Sequence, residues 1–390
     1  MTPALINPAD NPLTPEFYRL LWHNFSPALA PFLLALGVTI ALVPPVRALS
    51  FRLGAVSPPG GRHINDRPVA RLGGMAMALG FVVAAGLFAV RSSSSGPSDV
   101  RTVAIAGLLA VVALGVDDLR KGSLRARTKI VIQLGLAIIV VLMGTTIQYV
   151  NPGIGHVIHL GVLAIPVTLL WLVGMQNTVN LLDGVDGLAA GVAAIVAAAL
   201  LLAAVNREIG HPEQVTVVVL CAALAGACAG FLVFNFHPAS IFMGDSGSHF
   251  LGITLGVLSI FGIAKGAVVF VLAVPMMALA VPIFDTALAV IRRRRQGLSI
   301  AHPDTAHIHH QLLDFGLSQR ETCLVFYAAT GISGGLGLML FGHRKILAVV
   351  VLLLVIGLST LLGGRLYEIE RGGETSVRRT RAEADPLLES

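Results

Sequence analysis

Apolar runs long enough to cross a bilayer as helices, about twenty residues each, recur along this 390-residue chain from near Ser26 to near Gly363. That recurrence restricts the fold more than any other feature. Backbone amides inside lipid must find partners within the spanning structure, and only helices and closed barrels provide them. Composition agrees, with 55% hydrophobic and 12% charged residues and a mean hydropathy of +0.82. A soluble domain carries roughly twice that share of charge. The expected fold is all-α, a polytopic membrane helix bundle of about eleven spans. These lie near 28–49, 72–90, 101–116, 130–147, 160–176, 187–205, 214–234, 247–263, 267–291, 323–341 and 345–363. Residues 1–25 read as a polar lead, 26–363 as one transmembrane domain, and 364–390 as a polar tail expected to be disordered. Gly, Ala and Val inside the spans suit close helix packing.

The net charge of +6 does not point to nucleic acid, because its distribution matters more than its sum. Arg47, Arg52, Arg62, Arg67 and Arg71 follow the first span; Arg120, Lys121, Arg125, Arg127 and Lys129 follow the third; Arg292 to Arg295 follow the ninth. Cationic loops stay on the cytoplasmic side. Loops after odd-numbered spans are therefore expected in the cytoplasm, with the N-terminus outside and the C-terminus inside. The first residues lack a basic n-region, so no cleavable signal peptide is expected. Cys221 and Cys228 share a helical run about 10 Å apart, too far for a disulfide. Together with Cys323 they read as three free thiols.

Most acids, amides and histidines able to do chemistry fall on the same odd-numbered loops. After the third span come Asp117 and Asp118, which on a helix end point about 100° apart. One is free to approach a phosphate or metal while a neighbouring cation holds the other. Lys129 stands where the chain re-enters the bilayer, placed either to snorkel or to hold a phosphate. After the fifth span, Asn177, Asn180, Asp183 and Asp186 recur every three residues, a polar stripe on helical spacing, with Gly184 and Gly187 between or beside them. The loop after the seventh span holds Phe242 and the sequence Gly244-Asp245-Ser246-Gly247. A serine nucleophile fails there on context, since Ser248 occupies the last glycine position of a nucleophile elbow. A lone Asp among glycines better suits a hard cation or a diphosphate. After the ninth span lie Asp304, His307, His309 and His310. Without a matching Cys or Glu array they suit a diphosphate or sugar better than zinc. Asp285, an acid inside the ninth span, is a further functional suspect.

Five segments, in order, resemble the polyprenyl-phosphate N-acetylhexosamine-1-phosphate transferase family, of the glycosyltransferase family 4 type. They are Arg67-Pro-Val-Ala-Arg71-Leu-Gly73-Gly74, Asp117-Asp118, Asn177-Thr-Val-Asn180-Leu-Leu-Asp183-Gly-Val-Asp186-Gly, Phe242-Met-Gly-Asp245-Ser-Gly-Ser, and His307-Ile-His309-His310. The resemblance spans nearly the whole chain. It implies that a lipid phosphate attacks the β-phosphorus of a UDP-N-acetylhexosamine, releasing UMP and leaving a lipid-diphosphate-sugar. It also implies Mg²⁺, with Mn²⁺ as a substitute, held by Asp245 and Asn180. Asp117 or Asp118 would orient or deprotonate the lipid phosphate, and Lys129 would hold a phosphate. Phe242 would stack on uracil with Asp186 accepting its hydrogen bonds. Asn177, Asp183, Arg71, Asp304, His307, His309 and His310 complete the implied substrate contacts.

The histidine pattern is closest to undecaprenyl-phosphate N-acetylglucosaminyl 1-phosphate transferases, although Thr305 stands where those relatives place a cation. The implied partners are a UDP-N-acetylhexosamine, undecaprenyl or decaprenyl phosphate, the lipid bilayer of the inner or plasma membrane, and a second copy of the chain as a candidate. Two other readings remain open. A phospho-N-acetylmuramoyl-pentapeptide transferase shares the reaction but carries a larger donor. An ion-coupled transporter would instead place its polar residues near the bilayer midplane.

Overall fold

Four prolines lie within the first helix, yet it runs unbroken through Pro15–Leu53 (α1). At 1.5 Å per residue that is about 58 Å, well beyond the thickness of a hydrocarbon core. The computed structural model describes residues 15–58, 67–92, 98–119, 124–150, 158–205, 214–261, 317–339 and 357. Within them follow α2 (Gly73–Ser92), α3 (Ser98–Leu119), α4 (Ala126–Leu142), α5 (Ala164–Leu182), α6 (Leu188–Val205), α7 (Gln214–Asn235), α8 (Gly244–Phe261) and α9 (Gln319–Met339). Among the described residues, five helical stretches are long and apolar enough to cross a membrane: Phe25–Leu53, Val100–Leu119, Gly161–Leu182, Leu188–Val205 and Val215–Asn235. This is a polytopic membrane helix bundle. The nine helices fall on nine of the expected spans. The ninth expected span lies outside the described residues, as does the eleventh apart from Gly357.

Small residues let the helices approach closely. Gly226 and Gly230 of α7 face the backbone of α1, where a Cβ on Gly230 would lie 2.7 Å from the Leu36 carbonyl oxygen. Gly252 of α8 meets the backbone of α5 at Gln176 in the same way. Every residue of α8 from Ser246 to Ile260 is buried, so it runs through the interior against α2, α3 and α5. Cys221, Cys228 and Cys323 are free and buried, as expected.

Short extended pieces organise one end of the bundle. Strands β1 (Val56–Ser57) and β2 (Val69–Ala70) pair antiparallel, and Ala70 also bridges to Ile241. At the opposite end β3 (Tyr149–Val150) pairs with β4 (Ile158–His159). After β2 the chain stays joined to the segment before α8. Phe242 N–H donates to the Ala70 carbonyl at 2.7 Å, while Gly73 and Gly74 N–H donate to the Phe242 and Met243 carbonyls, both at 2.9 Å. The first donors of α2, which no helical carbonyl can satisfy, are thus met by the chain entering α8.

Candidate active site

The N-terminus of α8 needs the same service, and Asp118 provides it from the last turn of α3. Its Oδ1 accepts from Asp245 N–H at 2.9 Å and its Oδ2 from Ser246 N–H at 3.0 Å. Negative charge at a helix start is favourable. Arg71, whose N–H donates to the Ala55 carbonyl and the Ser50 hydroxyl oxygen, adds an ion pair to the same carboxylate at 3.5 Å. Gly244 makes this junction possible. Its φ is +71°, and a Cβ there would collide with the Arg71 carbonyl and the Asp118 carboxylate.

Asp117 turns the other way along α3, as its 100° offset requires. Its Oδ2 lies 2.8 Å from Lys129 Nζ, and Oδ1 accepts from Leu124 N–H. The Lys129 ammonium also pairs closely with Asp245 Oδ2. Asn180 Nδ2 donates to Asp245 Oδ1 at 3.1 Å and to Ser248 Oγ at 3.0 Å. Lys129 and Asp245 side chains are 19% and 17% exposed, whereas those of Asp117 and Asp118 are fully buried. Five expected residues, from α3, α4, α5 and α8, therefore meet at one end of the bundle. Asn177 and Asn180 sit on the last turns of α5 rather than in a loop, and Asp183 caps that helix. Asp245 occupies the first turn of α8.

Asp183 is half-buried at this polar end, and its carboxyl is pushed well above the usual range. Removal from water is the main cause, followed by repulsion from Asp245 and Asp118. Four acids, Asp117, Asp118, Asp183 and Asp245, gather here with the cations Lys129 and Arg71, a balance that a divalent ion would improve. The donor set fits Mg²⁺, which prefers hard oxygen and takes only one or two protein ligands. Asp245 supplies a carboxylate, and the Asn180 side-chain oxygen accepts none of the described hydrogen bonds. Among the described residues no group of three or more His, Cys, Asp or Glu is placed to hold a metal ion, and His307, His309 and His310 lie outside them.

The remaining expected residues are spread around this centre. Asp186 is 7% exposed, and its Oδ2 accepts from His237 Nδ1 at 2.9 Å and Ala239 N–H at 3.0 Å. That oxygen is therefore committed inside the protein, a use the spacing alone did not reveal. Phe242 is half-buried beside the junction through its backbone bonds. Asn177 lies deeper, bonded to Gln133. Asp304, His307, His309, His310 and Asp285 fall outside the described residues. The start of α9 joins this end too: Arg320 Nε donates to the His237 carbonyl at 2.9 Å, and Tyr327 OH to the Gly187 carbonyl at 2.7 Å. Sequence reasoning missed Gln133 and His249. Each lies four residues beyond an expected residue on the same helix, and that i+4 spacing was the available signal.

Residues 100–263 match the model of glycosyl transferase family 4. A probable undecaprenyl-phosphate N-acetylglucosaminyl 1-phosphate transferase of Bacillus subtilis (strain 168) is 39% identical over 298 residues, covering 76% of this chain and 80% of that protein. The decaprenyl-phosphate N-acetylglucosaminephosphotransferase of Mycobacterium tuberculosis (strain ATCC 25618 / H37Rv) is 37% identical over 355 residues, 84% of this chain and 87% of its own. A phospho-N-acetylmuramoyl-pentapeptide-transferase of Moorella thermoacetica (strain ATCC 39073 / JCM 9320) is 35% identical over 337 residues, 80% and 98% respectively.

Proposed function

The chain belongs to glycosyl transferase family 4, and on that premise we propose that it transfers N-acetylglucosamine-1-phosphate from UDP-N-acetylglucosamine to undecaprenyl or decaprenyl phosphate. One observation carries this reading: Asp117, Lys129, Asn180 and Asp245 converge from four helices at one end of a membrane bundle. A lipid-anchored phosphate and a water-soluble nucleotide can meet only at such an end. Sidedness from the positive-inside rule makes it the cytoplasmic face of the inner or plasma membrane, with about eleven crossings in all.

In the reaction an oxygen of the lipid phosphate forms a bond to the β-phosphorus while the bond to the bridging oxygen breaks. UMP leaves with that electron pair. Phosphoryl transfer asks for in-line placement and charge neutralisation rather than covalent help. Asp245 and Asn180 would hold Mg²⁺, with Mn²⁺ as a substitute, and the ion would neutralise diphosphate charge. The Lys129 ammonium, already shared between Asp117 and Asp245, would exchange one carboxylate for a phosphate oxygen. Asp117 or Asp118 would orient or deprotonate the acceptor; Asp117 is favoured because one of its oxygens faces the Lys129 ammonium at 2.8 Å, whereas both Asp118 oxygens hold the first N–H groups of α8. Phe242 would stack on uracil, and Asp183 and Asp186 would line the nucleoside side. Asp304, His307, His309 and His310 would contact the sugar and diphosphate.

Purified enzyme given undecaprenyl phosphate, Mg²⁺ and competing donors tests the sugar. UDP-N-acetylglucosamine should have the highest kcat/KM against UDP-N-acetylgalactosamine and UDP-N-acetylmuramoyl-pentapeptide. A pentapeptide donor that wins moves the chain to the other branch of the family and leaves the reaction class intact.

A further inference from the structure

Directly beneath Lys129, Asn180 and Asp245 lies a second polar tier built by the same three helices. Gln133 is one turn past Lys129 on α4, His249 one turn past Asp245 on α8, and Asn177 one turn before Asn180 on α5. At 1.5 Å per residue the second tier sits about 4.5–6 Å deeper in the bundle. Gln133 and His249 are buried, in surroundings where an unpaired polar group is costly.

The bonds within this tier have a fixed direction. A carbonyl only accepts, so His249 Nδ1, 2.8 Å from the Asp245 carbonyl oxygen, carries the proton. His249 Nε2 is then the acceptor for Gln133 Nε2–H at 2.8 Å. The Gln133 and Asn177 amides pair reciprocally, Asn177 Nδ2 donating to Gln133 Oε1 at 2.8 Å and Gln133 Nε2 to Asn177 Oδ1 at 3.3 Å. Asn177 also donates to its own helix at the Val173 carbonyl, 2.8 Å away. His249 and Asn177 are thus each tied to the backbone of the helix that bears them. The relay consequently fixes how α4, α5 and α8 are rotated against one another. Apolar side chains would hold three helices together with no desolvation cost, so packing alone gives no reason for these residue types.

We infer that Gln133, Asn177 and His249 are positioning residues, which set the rotation of α4, α5 and α8 so that Lys129, Asn180 and Asp245 converge on one point. This rests on one part of the proposed function, Asp245 and Asn180 as the metal ligands. His249 acts through the Asp245 peptide and has no contact with substrate.

The test compares the full-length enzyme with the double variant Gln133→Leu/His249→Leu, which removes the two fully buried polar side chains together and leaves the half-buried Asn177 amide bonded to the Val173 carbonyl. Four quantities are read: Mn²⁺ affinity by electron paramagnetic resonance, kcat, KM and Tm. Mn²⁺ affinity and kcat should each fall tenfold or more, while KM for the UDP-sugar stays within threefold and Tm within a few degrees. His249→Asn, which keeps a donor for the Asp245 carbonyl, should hold Mn²⁺ affinity within threefold of wild type. Mn²⁺ affinity and kcat unchanged in the double variant overturn the inference, because the tier is then only structural. Wild-type enzyme that binds no Mn²⁺ overturns it as well. If the double variant does not fold, Gln133→Met decides by the same metal titration: weakened binding supports the relay and unchanged binding overturns it. Metal binding needs no turnover, so normal Mn²⁺ affinity without sugar-phosphate transfer sinks the proposed function and leaves the tier's role standing.

Discussion

Asp118 and Asp245 are both acids at one helix junction, yet substitution should separate them cleanly. Asp118 gives both oxygens to the first N–H groups of α8. Asp118→Asn would turn an amide NH₂ toward a backbone donor and leave a buried group unpaired, at about 1–3 kcal/mol of stability. Thermal unfolding in detergent should show that loss. Asp245→Asn should leave Tm close to wild type and cut kcat about 100-fold or more, because charge stabilisation of the transferring phosphoryl group is lost. A fully active, destabilised Asp245→Asn enzyme would reverse the assignment. The residue types at this centre were legible, since Asp117, Asp118, Lys129, Asn180 and Asp245 all stand out in apolar sequence. The division of labour between the two adjacent acids was not. Their 100° offset says that they differ, but only the position of α8 decides which one caps it.

Among the elements, the boundaries were less legible than the spans. The fifth expected span ends at 176, whereas α5 continues to Leu182 and carries Asn177 and Asn180 on its last turns. Hydropathy stops where lipid contact stops, and a helix can continue into a polar interior beyond that point. The zipper of Ala70, Gly73 and Gly74 with Phe242 and Met243 left no periodic signal, because two-residue strands are too short to have one. Its sequence trace is Gly244. With φ at +71° and the Asp118 carboxylate 2.5 Å from where a Cβ would stand, Gly244→Ala should cost at least about 1–2 kcal/mol for the backbone alone. The same change should misplace Asp245, lowering kcat by an order of magnitude or more as Tm falls. A variant with wild-type Tm and kcat would contradict the described junction.

For the whole molecule, the order of motifs and the recurrence of spans fixed the bundle and the end where chemistry gathers. How the helices are arranged around α8 was not legible, because runs of Gly, Ala and Val carry little amphipathic signal. Sidedness can be tested with two exposed positions at opposite ends, Arg127 near the site and Val162 at the β3–β4 end. The native thiols are buried and give little background. In intact cells Val162→Cys should react with an impermeant maleimide, and Arg127→Cys only after permeabilisation. The reverse pattern would place the site on the outer face. The central claim, that a sugar leaves the nucleotide with its phosphate attached, is tested most directly by following the β-phosphorus. Enzyme with undecaprenyl phosphate, Mg²⁺ and UDP-N-acetylglucosamine labelled with ³²P at the β position should move the label into the lipid extract and release unlabelled UMP. Label recovered in UDP, with an unlabelled sugar on the lipid, would contradict the account.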